Sequence, residues 1–117
     1  MSISLESPTY SPWGAIQSRE QVADGIESIS TASHGGYWLS RERRASFVAR
    51  FPDFTPFAGL PWFEEDCDWA AVVLAFPIAF NGEAHDQAKQ LVCSMAAWQP
   101  DRHYFGQRLE ALAGGVA

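Results

Sequence analysis

"GIESISTASHGGYWLS", Gly25 to Ser40, is the stretch on which the fold turns. Isoleucine and small hydroxyl residues alternate loosely through "IESISTAS", the pattern of a strand with one buried face. Gly35 and Gly36 follow, and two adjacent glycines can supply both positive-φ positions of a type I′ hairpin turn. "YWLS" then reads as the return strand, with His34 and Tyr37 flanking the turn. A β-hairpin in the first forty residues makes a small antiparallel sheet the organising element.

Upstream, the first ten residues carry Ser and Pro and read as loose. "WGAIQ", Trp13 to Gln17, reads as a short strand. Ser18 offers an N-cap with Gln21 as its capping-box partner, which predicts a short helix over 19–24 that stops at Gly25.

Downstream, Ser40 can cap a helix in "RERRASFVARF". Phe47, Val48 and Phe51 stand at helical spacing there, and Arg41, Arg43, Arg44 and Arg50 lie on the outer face. "PDFTPFAGLPW" holds three prolines and a glycine and must be a loop. "WFEED" is extended or cap-like. Asp66 or Asp68 can then cap a helix through "WAAVVLAF", where Trp69, Val72, Val73 and Phe76 match helical spacing. A buried strand fits these eight apolar residues almost as well, and helix is the reading preferred.

Asn81 can start a clearer helix with the apolar stripe Ala84, Ala88, Leu91, Val92 and Met95, ended by Pro100. Asp101 can cap a last helix in which Phe105, Leu109 and Leu112 face inward and which Gly114-Gly115 stops. The expected architecture is α+β: a small antiparallel sheet with a His-Gly-Gly hairpin, covered by three to five helices, in one compact domain over residues 1–117.

Composition agrees with this size. The chain has 117 residues, 47% of them hydrophobic, with sixteen aromatics. A domain of that length buries roughly two-thirds of its unfolded surface, so it needs neither a metal nor a disulfide to fold. The N-terminus lacks the basic start and apolar core of a signal peptide. The longest apolar run, Trp69 to Phe76, is too short to span a bilayer. A soluble protein of the cytoplasm is expected, with no membrane association and no cofactor. Cys67 and Cys93 form no CxxC or Cys/His spacing and read as reduced thiols. Asp66 and Asp68 flank Cys67, which raises a thiol pKa and opposes nucleophilic activation.

The charge is unevenly placed. Residues 51–88 hold Asp53, Glu64, Glu65, Asp66, Asp68, Glu83 and Asp86 and no Lys or Arg, whereas the whole chain carries −6. One segment thus holds the entire excess. That disfavours direct contact with a phosphate backbone and favours docking onto a basic surface, including one built to hold nucleic acid. A plainly solubilising acidic loop is the simpler alternative.

Two places could carry chemistry. At His34, an imidazole beside two glycine amides could act as a general base, with Ser30, Thr31 or Ser33 as nucleophile. A carboxylate would have to come from elsewhere, with Glu64, Glu65, Asp66 and Asp68 as candidates. No nucleophile-elbow motif is present, and a turn histidine is the plainer reading. In "WFEEDCDW", Trp62 to Trp69, four carboxylates lie within five residues between tryptophans. The pattern is not an EF-hand. The acids could hold a divalent cation, cap a helix or form an acidic partner-binding surface; helix capping is the plainest of the three, and the flanking aromatics favour a binding surface over mere solubility. His85, His103 and Cys93 match no standard zinc spacing, and no metal site is expected. The "RERR" run, diluted by Glu42, reads as a solvated helix face. It could alternatively bind phosphate or pair with the acidic segment of a second copy in an antiparallel homodimer.

Taken together, "SPWGAIQ", "GIESISTASHGGYWLS" and "WFEEDCDW" resemble an uncharacterised small bacterial domain family carried on plasmids and phages. The resemblance spans roughly residues 11–80. It rests on a Trp-Gly start, a Ser-His-Gly-Gly hairpin and an aromatic-Glu-Glu-Asp segment. It implies Trp13, Gly14, His34, Gly35, Gly36, Glu64, Glu65 and Asp66 as shared positions, and no activity. By analogy with small acidic proteins of mobile elements, it suggests an inhibitor of host defence of the anti-CRISPR or antirestriction kind.

The leading expectation is therefore a non-enzymatic binder. Glu64, Glu65, Asp66 and Asp68 supply charge and Trp62, Phe63 and Trp69 anchor. The partner is a protein with a basic surface, such as a CRISPR–Cas or restriction complex. The alternative is a small hydrolase or transferase with His34 as general base and Glu64, Glu65 or Asp66 as its carboxylate, which requires imidazole and carboxylate to meet in a pocket.

Overall fold

The computed structural model describes residues 8–98 together with Leu109, Leu112 and Ala113. A two-stranded ribbon, β1 (Tyr10–Ser11) and β2 (Gly14–Ala15), precedes a four-stranded antiparallel sheet in the order β3 (Ser18–Ala23), β4 (Ile26–Ser30), β5 (Gly35–Leu39), β6 (Trp62–Glu64). Helix α1 (Arg41–Arg50) joins β5 to β6, and α2 (Trp69–Ala75) and α3 (Gly82–Trp98) follow. The fold is α+β, as composition and patterning imply. No helix among the described residues is long and apolar enough to cross a membrane.

Two local expectations are overturned. Residues 19–24 are not a helix: Ser18–Ala23 is a strand paired with β4, from Ser18↔Ser30 to Ala23↔Ile26. Asp24-Gly25 is the turn between them, with Gly25 at φ +82°. An Asp-Gly pair between two strands is a strong hairpin signal, and it outweighs the capping-box spacing of Ser18 and Gln21. Nor is Gly35-Gly36 a turn. Both residues lie inside β5, paired with Ser30 and Ile29, and neither has positive φ. The reversal occurs one step earlier, over Thr31–His34, where the Thr31 N–H donates to the His34 carbonyl at 2.8 Å. Thr31 Oγ1 donates to the same carbonyl at 2.7 Å and accepts from the His34 N–H at 3.2 Å.

The two glycines are required by crowding instead. A β-carbon at Gly36 would stand 2.2 Å from the Phe63 carbonyl oxygen, and one at Gly35 would stand 2.7 Å from the Ile29 carbonyl oxygen. Glycine is the residue that allows such close approach.

Strand alternation divides the sheet into two buried faces. Ile26, Leu39 and Phe63 point to the face that packs on α1 and α2, where Phe47, Phe51, Phe54 and the stretch Ala70–Ala75 complete the main core. Phe47 is its hub: its ring lies 4.9 Å from Phe63, 5.6 Å from Phe51 and 5.6 Å from Phe54. Each such buried aromatic contributes roughly 1.5–3 kcal/mol through burial. Ile29 and Trp38 are buried as well, yet stand outside that cluster. They lie with Trp62 on the opposite face, where Trp13 of the β1–β2 ribbon meets Trp62 edge-on at 5.7 Å. The ribbon is thus a lid over the back of the sheet. Tyr10 belongs to β1, so the looseness expected of residues 1–10 does not extend to it, and residues 1–7 lie outside the described part.

The helices follow their caps. Ser40 Oγ accepts from the Arg43 N–H at 3.2 Å, and Asn81 Oδ1 accepts from the Ala84 N–H at 2.8 Å, as expected of N-caps. Within α1 only Phe47 is buried; Phe51 is its C-cap and buried, while Val48 is exposed. The apolar run 69–75 is a helix, and Ala70 through Ala75 are all buried. In α3, Ala88 and Val92 are buried as the stripe predicts, and the Met95 side chain lies outside the described part. Leu109 is helical and buried, but Leu112 is 45% exposed, contrary to its expected inward role. Phe105, Pro100, Asp101 and Gly114-Gly115 lie outside the described residues.

Candidate functional site

Strand β6 and the turn after it carry the acidic segment, and the structure sorts its residues by burial. Phe63 is fully buried in the main core. Asp68 is also fully buried, and one of its carboxylate oxygens accepts from the Phe57 N–H at 2.7 Å, tying the proline-rich loop to the start of α2. Asp68 occupies the N-cap position of α2 without a side-chain capping bond. Glu64 holds the turn before the helix: its Oε1 accepts from the N–H groups of Cys67 (2.8 Å) and Asp68 (3.4 Å). These three residues serve the fold. Glu65 and Asp66 alone in the segment are exposed acids; Trp69 is half-buried and lines the same cleft as Glu65, whereas half-buried Trp62 faces Trp13 on the back of the sheet.

Cys67 lies in the same turn. Burial first, then the charges of Glu64, Asp68 and Asp66, push its thiol above the ordinary value. A thiol held protonated is a poor nucleophile, which agrees with its flanking acids.

The structure brings His34 and Glu65 together. The Glu65 N–H donates to the Gly35 carbonyl at 2.9 Å, so the chain after β6 runs alongside the start of β5. Nδ1 of His34 stands 4.0 Å from Oε2 of Glu65, and both side chains are more than half exposed. Glu64 and Asp66 make no such approach to the imidazole among the interactions found. The separation allows a loose ion pair when His34 is protonated, not a hydrogen bond. Thr31 Oγ1, one candidate nucleophile, is held within its own turn.

Glu65 also borders a solvent-open cleft of about 380 Å³ between the sheet and helices α2 and α3, lined by Ser28, Ser30, Tyr37, Glu65, Trp69 and Gln87. Gly36 also lines it, and a β-carbon at the neighbouring Gly35 would stand 3.2 Å from Glu65 Oε1. Burial raises the Tyr37 phenol above its ordinary value, so it stays a neutral donor and acceptor. Among the described residues no Lys, Arg or His lines the cleft. The chain's alternation and acidic motif identify each element that meets here; the meeting itself depends on β6 pairing with β5, which no local signal encodes.

Two of the arginines of α1 stand elsewhere. Arg43 Nε donates to the Asp24 carbonyl at 2.8 Å with its guanidinium over the Phe76 ring, and Arg50 donates to the Ala75 carbonyl. These two of the arginines expected on a solvated helix face are bound to the fold. Among the described residues no three His, Cys, Asp or Glu side chains are grouped so as to hold a metal ion. His103 lies outside them.

The chain belongs to a family described as a domain of unknown function, DUF7007, whose model matches residues 6–114. No curated protein and no solved structure matches it.

Proposed function

We propose that this domain is a protein-binding module that presents the β6–α2 corner to a basic surface of its partner. The observation that carries this reading is the sorting of the acids: Glu64 and Asp68 are spent on the fold, while Glu65 and Asp66 are exposed, with half-buried Trp69 lining the same cleft as Glu65. Exposed carboxylates with a half-buried indole combine long-range attraction with an apolar anchor, the make-up of interface hot spots. Among the described residues that line the cleft at this corner, none is a Lys or Arg that would compensate Glu65.

In its concrete form the partner is a nucleic-acid-binding defence complex of a bacterial cell, CRISPR–Cas or restriction, met in the cytoplasm, and the protein acts as an inhibitor encoded on a mobile element. That identity comes from the family resemblance and the acidic balance. The hydrolase or transferase alternative is less well supported, because His34 does not line the cleft and stands beyond hydrogen-bond reach of Glu65.

The test is capture of a partner with tagged protein at moderate salt, followed by addition of the partner's own nucleic acid. Wild-type protein should be displaced by nucleic acid, and the double variant Glu65→Lys, Asp66→Lys should capture nothing while keeping its circular dichroism and thermal midpoint. Capture undiminished by the double reversal would refute the reading.

A further inference from the structure

We infer that the cleft beside Glu65 is a receptor for one arginine side chain of the partner; this rests on the docking reading above and names the group that the corner recognises.

The polar part of the cleft suits a guanidinium, and Ile29, Val73 and Ala84 complete the lining. Among the described lining residues Glu65 supplies the only charge. A carboxylate and a guanidinium pair through two parallel N–H···O bonds, so one acid in a fixed place is enough to orient the group. Trp69 also lines the cleft, and an indole gives a guanidinium a surface to stack on while its N–H groups remain free to bond at their edge. Ser28, Ser30, Tyr37 and Gln87 add oxygen acceptors for the remaining N–H groups. Tyr37 contributes as a neutral phenol, because burial opposes its ionisation.

Shape points the same way. Gly36 adds no side chain to the lining, and a side chain at the neighbouring Gly35 would press on the Glu65 carboxylate. The cleft is open to solvent along one side, and Glu65 leads directly into exposed Asp66. An open cleft continuous with an acidic surface fits a side chain that arrives attached to a protein better than a free metabolite, which binding sites usually enclose. His34 stands across Glu65 from this site at 4.0 Å. It is not among the residues that line the cleft.

Two probes separate charge from shape: N-acetyl-arginine methylamide and its neutral isostere, N-acetyl-citrulline methylamide. Each is titrated into the 15N-labelled full chain. The arginine probe should shift the Trp69 indole N–H, identified with Trp69→Phe, and the Gly35 and Gly36 amides saturably, and the citrulline probe should not. Glu65→Gln should weaken the arginine probe about tenfold or more, the usual effect of removing one charged partner. An equal response to both probes, or no saturable shift at these three positions, would overturn the inference.

Gln87→Trp fills the cleft from the exposed face of α3 without changing charge. It should abolish probe binding and weaken a captured partner about tenfold. If it leaves the partner untouched while the Glu65→Lys, Asp66→Lys protein captures nothing, the docking reading stands and the arginine receptor falls. If the arginine probe binds as described and no partner depends on Glu65 or Asp66, the receptor chemistry stands and the docking reading falls.

Discussion

Gly36 and Trp13 are in direct apposition across the back of the sheet: a β-carbon on Gly36 would lie 2.8 Å from Trp13 Cη2. The same atom would lie 2.2 Å from the Phe63 carbonyl, which is backbone and cannot swing aside. Gly36→Ala should therefore cost about 1–3 kcal/mol, the range for overpacking a buried site, read as a lower urea midpoint. Adding Trp13→Ala should not restore stability, because the clash with the strand remains.

Asp66 and Asp68 are two positions apart and differ in kind. Asp68→Ala leaves the Phe57 N–H without its carboxylate inside the protein and should cost about 1–3 kcal/mol. Asp66→Ala removes an exposed charge and should stay within about 0.5 kcal/mol. Urea unfolding of both variants checks the contrast; equal losses would mean that Asp68 is not held as described.

The two thiols should report their surroundings. Cys93 is exposed, whereas Cys67 is partly buried, with its thiol raised by burial and by Glu64, Asp68 and Asp66. Iodoacetamide at neutral pH should label Cys93 well before Cys67. Glu64→Gln keeps an acceptor oxygen for the turn but removes a charge, so it should speed labelling of Cys67 severalfold and leave Cys93 unchanged. Mass spectrometry of timed samples reads both.

Alkaline pH should weaken the fold through Tyr37. Burial raises its phenol above the ordinary 10.0, so the unfolded chain loses this proton first. Stability is then intact below pH 10.0 and falls as pH rises from there towards the folded value. Cys67, raised from 9.0, begins the same decline earlier. Tyr37→Phe should flatten the upper part of the curve of urea midpoint against pH.

His34→Ala should change neither the thermal midpoint nor capture of a partner, since the side chain is more than half exposed and contributes no hydrogen bond to Glu65. Loss of function in this variant with the fold intact would return the histidine to the centre of the problem.

Much of the molecule is legible from residue order. The caps at Ser40 and Asn81, the helix in "WAAVVLAF" and the strand "IESIS" rest on periodicity and side-chain hydrogen bonds within a few residues. Errors arose where a local signal had two meanings. Gly35-Gly36 has the composition of a turn, but its cause lies in Phe63 and Ile29, one of them 27 residues further on, whose carbonyls crowd it. Ser18 to Gln21 has the spacing of a capping box, yet pairing with β4 and the Asp24-Gly25 turn prevail. At the site, the acidic motif was visible but the division of labour within it was not. Burial of Phe63 and Asp68 follows from how β6 and the proline-rich loop pack, and sequence spacing says nothing of that.

The order of pairing in the sheet has a consequence in time. β3, β4 and β5 are joined by short turns, so their contacts close small loops; β6 must return across α1 and the loop, residues 40–61, before its three residues can pair. Longer closures cost more entropy and reward late. The fourth strand is expected to dock last and to release first. On this order of closure, the Glu65 amide should exchange with deuterium sooner than the amides between β4 and β5. A partner seated at this corner would slow that exchange, fastening the strand that pairs across the longest loop of the sheet.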